Sequence, residues 1–257
     1  MGGHPREDRS SFDLRLRLGV EATQVRVQLP TVPVRVTGVL PALQSVASAV
    51  VDAAARRVER QGKAISCRKG CGACCRQPVP VAEAEAAFLA ELIGGMAADR
   101  QAVLRRRFRR GIRRLGRAGL LDPIRRLGQM PDGDARRRLG LAYFRQQIPC
   151  PFLEDESCSI HPHRPLSCRE YLVTSPAAHC ADPVRNRVER VPIPSKPSVA
   201  LYRLGDGSGG GKPRWLPLIL ALEWAEQHPH PAGAAPVPGP RLFEAFLREL
   251  SPGTPPR

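Results

Sequence analysis

Four of the chain's eight cysteines fall within nine residues, Cys67-Arg68-Lys69-Gly70-Cys71-Gly72-Ala73-Cys74-Cys75, and the other four, Cys150, Cys158, Cys168 and Cys180, follow 75 to 105 residues later. Gaps of two and three residues let one turn of chain bring sulfurs within about 4 Å of each other, as an ion held at about 2.3 Å by each sulfur requires. Gly70 and Gly72 supply the backbone freedom such turns need. If Cys71 to Cys75 turned helically, Cys71 would share a face with both Cys74 and Cys75, while those two diverge by about 100°. The neighbours are therefore poor disulfide partners and are not both expected on one mononuclear ion. The near and far sets are expected to meet in space around metal.

That expectation depends on the compartment. The stretch from Met1 to Arg9 is polar and has no apolar run behind it, unlike a secretory signal, and Arg6 stands where a myristoylation pattern needs Ser or Thr. The longest largely apolar stretch, residues 216–225, has ten residues and is interrupted by Glu223, whereas a membrane span needs about 20. A cytoplasmic protein without membrane contact is expected, and a reducing cytosol leaves thiols free to act as ligands or redox groups.

The chain has 257 residues, 42% of them apolar, enough for a buried core. Residues 1–38 alternate, with Leu14, Leu16 and Leu18 and then Val25, Val27 and Leu29 against polar neighbours, which predicts a strand-bearing N-terminal extension. Pro30 and Pro33 put its second strand at an edge. Residues 39–204 read as the cysteine-cluster domain. Helices are expected over 41–62, with Pro41 in the first turn, and over 81–93, 99–118 and 134–147. A rigid, proline-rich loop over 150–183 and an extended stretch over 188–204 follow. Residues 205–257 read as a Gly-rich loop at 205–212, helices over 216–227 and 241–250, and a Pro-rich linker and tail. The fold class is mainly α with short strands, an α+β arrangement of helices around a loop-rich, cysteine-ligated metal site.

The formal charge is +16, and 36 of the 40 basic residues are arginine. The helix over 99–118 concentrates them, with Arg105, Arg106, Arg107, Arg109, Arg110, Arg113, Arg114 and Arg117 opposite an apolar stripe of Val103, Leu104, Phe108, Ile112 and Leu115. Nucleic-acid phosphates are the partner such a face suggests, although the plainer reading is a solvated outer surface. No aromatic residue interleaves with the arginines, so a single-strand stacking platform is not suggested.

Bound thiolates need charge compensation, and Arg68, Lys69, Arg76, Arg164 and Arg169 all stand beside cysteines. Nearby cations favour the deprotonated, ligating form. His161, three residues after Cys158, is a candidate ligand or a hydrogen-bonding support, with His163 and His179 behind it. The run Glu154-Asp155-Glu156 reads as a solvated turn.

Taken together these residues resemble the YkgJ-type cysteine-cluster family. The match runs through Cys67-x3-Cys71-x2-Cys74-Cys75, Cys150-Pro-Phe-Leu, Cys158-x-Ile-His161, Arg164-Pro165 and Cys168-Arg169-x-Tyr171, with Cys180 as the eighth cysteine, and covers roughly residues 60–182. The resemblance implies zinc or iron chelation by Cys67, Cys71, Cys74, Cys75, Cys150, Cys158, Cys168 and Cys180, with His161, Arg164, Arg169 and Tyr171 in support. A flagellin lysine methylase has a similar cluster, which implies a 4Fe-4S cluster and methyl transfer for some relatives. The spacing Cys67-x3-Cys71-x2-Cys74 is also that of radical S-adenosylmethionine enzymes, but Ala73 replaces the usual aromatic and the flanks do not alternate strand and helix. Three functions follow: a metal-binding protein, an iron-sulfur-dependent enzyme, or a zinc-stabilised nucleic-acid binder.

Overall fold

The alternating residues near the N-terminus pair as one long hairpin, in which β1 (Arg9–Leu18) lies antiparallel to β2 (Glu21–Pro30) with Leu14 opposite Val25 and Phe12 opposite Val27. Because side chains alternate across a strand, Leu14, Leu16, Val25, Val27 and Leu29 share the face turned to the core, where Val27 and Leu29 are buried. This architecture comes from a computed structural model, which describes residues 9–18, 21–193, 195–205, 214–229 and 235–250. The Gly-rich loop expected at 205–212 lies outside the described residues beyond Gly205, as do residues 230–234 of the Pro-rich linker and the tail.

A short strand, β3 (Pro33–Val34), leads into α1 (Val36–Arg60). This helix begins five residues before Pro41, so the proline is an interior residue instead of a first-turn one. It deletes one intrahelical bond, and the Ser45 hydroxyl donates to the Pro41 carbonyl at 3.0 Å. The run of apolar residues continuing to both sides of Pro41 and burying Val39, Leu40 and Leu43 explains why the helix tolerates it. By length and composition α1 could cross a bilayer, unlike the ten-residue stretch at 216–225, but most of its apolar stretch is buried inside the protein.

Next come β4 (Pro80–Ala82), α2 (Glu83–Gly94), α3 (Ala98–Arg117), α4 (Leu121–Arg125) and α5 (Asp134–Arg145). The expected helix at 81 is a strand for its first two residues, because Val81 and Ala82 pair with Leu216 and Trp215 of β7 (Trp215–Pro217). The same pairing makes residues 215–217 a strand, so the helix expected from 216 starts only at α8 (Ala221–Gln227), after a 3-10 turn. Between these lie a small hairpin of β5 (Leu153–Glu154) and β6 (Ser157–Cys158), the five-residue α6 (Leu166–Glu170), and α7 (Pro197–Leu204). The last corrects the extended reading of 188–204: Pro197 occupies the first helical position, as prolines there often do, and Ala200, Leu201 and Leu204 are buried. Finally β8 (Val237–Pro238) pairs with β3, and α9 (Gly239–Leu250) packs on α1 and α7. The result is mainly α with short antiparallel strands.

Two apolar cores result. In the first, α1 is wrapped by β2, α6, α7 and α9, with Leu40, Leu43, Val46, Leu166, Leu201 and Phe246 buried. In the second, Leu89, Leu104, Phe108, Leu115, Ile124, Phe152 and Ile219 pack together, and Phe108 meets Phe152 edge to face at 5.7 Å. The cysteines lie on the seam. Cys150 and Cys158 pack against the second core, while Cys168 follows Leu166 of the first within α6.

Candidate metal centre

All eight cysteines are free thiols, seven half-buried and Cys180 buried. Their loop is built by short-range turns. The Cys71 N–H donates to the Arg68 carbonyl and the Cys75 N–H to the Gly72 carbonyl, and residues 73–76 close one 3-10 turn. Gly70 sits at φ +84°, a conformation that costs glycine little.

The far set is attached to this loop directly. The Cys150 N–H donates to the Cys75 carbonyl at 2.7 Å, joining the two sets through backbone. Asp155 and Glu156 both have positive φ and form the two-residue connection of the β5–β6 hairpin, the pattern of a type I′ turn. That turn brings Leu153 and Cys158 opposite each other and presses Glu156 onto the near loop. A Cβ on Gly72 would stand 2.5 Å from Glu156 Oε2 and 2.7 Å from Leu153 Cδ1. Arg76 then locks the contact, donating to both Glu156 oxygens at 3.0 and 2.6 Å and to the Gly72 carbonyl at 2.9 Å. The acidic run is thus a turn, as expected, but not merely solvated. Glu154 also accepts from Arg100 and Arg107 of α3, and all its ion pairs hold its carboxyl below the usual range, the Arg100 bond first.

Cys74 is the common neighbour. It lies near enough to Cys67, Cys150, Cys158, Cys168 and Cys180 that its ionised form would oppose theirs, and its own thiol is hydrogen-bonded with Cys75. Cys71 joins through Cys67 and Cys180. Burial pushes the Cys67, Cys158 and Cys180 thiols up, Cys150 up to about 12 and Cys168 well above its ordinary value. Cys74 is raised by its bond with Cys75 first and by burial second. These six are protonated thiols at neutral pH, gathered but not drawn onto one point: among the described residues no three Cys, His, Asp or Glu side chains stand as a ready ion cage.

The supporting residues divide. Arg164 acts on Cys67, Cys74 and Cys158, and its Nε is buried with no hydrogen-bond partner. A buried donor left unmatched costs about 1–3 kcal/mol. Arg169 is structural as well as basic: it donates to the Arg164 carbonyl at 3.0 Å, the Ser48 hydroxyl at 3.0 Å and the Pro162 carbonyl at 2.5 Å. Tyr171 accepts the Cys67 thiol on its carbonyl at 4.0 Å and Gln77 Nε2 on its hydroxyl at 3.2 Å, and Arg190 lies over its ring at 4.9 Å. His161 is exposed, its pKa lowered by burial of the ring and then by Arg164 and Arg169. His163 is exposed and tilts against Phe88, and His179 Nδ1 bonds to the Arg187 carbonyl at 3.0 Å.

The donor set fits a thiophilic metal. Free thiols from both stretches lie near Cys74, and the positive Arg164 near Cys67, Cys74 and Cys158 has a donor that a thiolate would satisfy. Residues 66–186 match the sequence model named CxxCxxCC, described as a "putative zinc- or iron-chelating domain". The likeness is to that stretch alone, just under half of the chain. The family's pattern has two residues between its first cysteines, whereas this domain has Arg68, Lys69 and Gly70 there, and the positive φ of Gly70 accommodates the extra residue. No curated protein and no solved structure matches the chain significantly.

Sequence reading missed Glu85. It is 2% exposed, accepts the N–H groups of Ala82 at 2.8 Å and Leu166 at 2.7 Å, and adds negative charge beside Cys168. Burial raises its pKa to about 7. The signal was present: Val81, Glu85, Leu89 and Ile93 are spaced four apart, so a carboxylate stands inside an apolar stripe. A cleft of about 370 Å³ opens over Cys71, bordered by Arg68, Arg76, Gln147, Ala177 and Ala178.

Proposed function

We propose that this protein chelates zinc or iron through Cys67, Cys71, Cys74, Cys75, Cys150, Cys158, Cys168 and Cys180, as one cluster or two sites that share the pool. The single observation that supports this most is the central position of Cys74, which lies near members of both sets. Bound metal would supply the positive charge that turns these raised thiols into thiolates, releasing protons as it binds. Arg164 and Arg169 then offset the negative charge of the sulfurs. Arg169 and Tyr171 hold the loops that carry Cys158, Cys168 and Cys67, and His161 stays at the rim. Thiol ligation of this kind requires reduced cysteines, and we take the protein to work in the cytoplasm.

An iron-sulfur-dependent enzyme, of methyl-transfer type among the alternatives, is favoured by one feature, the cleft over Cys71, which gives a small molecule room beside a cysteine. Anaerobic purification with elemental analysis and a visible spectrum separates the readings. Equimolar iron and sulfide with broad visible absorption indicates a cluster, and colourless protein with zinc indicates chelation alone. Cys71→Ser and Cys168→Ser should each lower bound metal and melting temperature, and unchanged metal content in both sinks the proposal.

A further inference from the structure

Nine arginines fall on α3 against one acidic residue, Asp99. Three of them are spent within the protein: Arg100 and Arg107 pair with Glu154, and Arg105 with Glu226. The other six, Arg106, Arg109, Arg110, Arg113, Arg114 and Arg117, are exposed, and among the described residues none of them pairs with a carboxylate. They lie opposite Leu104, Phe108, Gly111 and Leu115, which are buried. Spacings of three and four put Arg106, Arg110, Arg113 and Arg117 in one row about 16 Å long, with Arg109 and Arg114 flanking it on opposite sides. Like charges at these spacings disfavour the helix, so the row stands against its own repulsion, held by the apolar face beneath it and by the ion pairs of Arg100, Arg105 and Arg107.

We propose that this face binds the phosphate backbone of double-helical nucleic acid, without reading its sequence. Guanidinium forks match phosphate oxygens two at a time, and a single α-helix fits the major groove, where flanking arginines reach both strands. The rival polyanions fit less well. A membrane-surface helix needs its apolar face free for lipid, and that of α3 is buried in the second core. A protein partner needs aromatic or aliphatic anchors at the centre of the contact, and the exposed positions of α3 offer only arginine, alanine, glycine and Asp99. Single strands need aromatic platforms, which this face lacks. The inference does not depend on which metal is bound.

The test is fluorescence anisotropy of a labelled duplex of roughly 20 base pairs with the full chain, titrated between about 50 and 200 mM salt. Six phosphate contacts predict a slope of log K against log salt near −5 and an affinity loss of about a thousandfold over that range. Arg106→Glu/Arg110→Glu/Arg113→Glu should flatten the slope by about 2.7. A charge-matched control, Arg56→Glu/Arg203→Glu/Arg241→Glu, changes exposed arginines elsewhere and should keep the wild-type slope. Arg106→Gln/Arg110→Gln/Arg113→Gln, checked for unchanged melting and metal content, guards against misfolding and should flatten the slope in the same direction. Equal weakening in the charge-matched control, a wild-type slope in the glutamine variant, or tighter binding to phosphatidylserine vesicles or polyglutamate than to duplex would each overturn the assignment.

Discussion

The replacement Glu85→Gln should abolish a distinct part of the protein's pH dependence. Glu85 is buried beside α6 and α7, and its carboxyl is raised from an ordinary 4.5 to about 7 by burial, partly opposed by the Leu166 and Ala82 N–H groups. Between these values the folded chain holds a proton that the unfolded chain has released, so folding stability falls as pH rises. The contribution is fully present below about 4.5 and gone above about 7. Each tenfold change in proton affinity is worth about 1.4 kcal/mol, which makes the whole fall about 3 kcal/mol. Glutamine has the same shape and never ionises, although its amide keeps only one of the two backbone hydrogen bonds, a pH-independent loss of about 1–3 kcal/mol. Urea melts of both proteins across this range should therefore show the wild type ahead in acid and the difference narrowing by about 3 kcal/mol toward pH 8. Subtracting the variant's profile removes the contribution of Glu170, which burial also raises. Parallel pH profiles for the two proteins would refute the reasoning.

Two glycines make further tests. Gly72→Ala forces a Cβ to within 2.5 Å of Glu156 Oε2 and 2.7 Å of Leu153 Cδ1, so it should cost about 1–3 kcal/mol, pry the β5–β6 hairpin off the cysteine loop and reduce bound metal; wild-type metal content and melting would contradict this. Gly128→Ala sets a Cβ 2.0 Å from the Trp215 carbonyl, a backbone atom that can move only with β7. That variant should lose more stability than Gly72→Ala, measured by thermal melting, and an equal or smaller loss would show that the β4–β7 pair is not rigid.

What the amino-acid sequence determined by itself was the chemistry and the local periodicity. Cysteine spacing marked out a thiol-rich region because short gaps bring sulfurs together whatever surrounds them. The helices α3 and α9 were legible because each has an apolar stripe at helical spacing, and the N-terminal hairpin because its alternation is unbroken over several residues. Tertiary structure decided the rest. Strands of two or three residues, such as β4 and β7, have no periodicity to read; Val81 becomes a strand residue only because Leu216, 135 positions away, arrives to pair with it. Helix α1 overran Pro41 since packing on both sides outweighed one missing hydrogen bond. The central place of Cys74, the buried Nε of Arg164 and the raised carboxyl of Glu85 are likewise properties of position. Each depends on which distant groups share a low-dielectric seam between two cores, and sequence spacing carries no record of that distance.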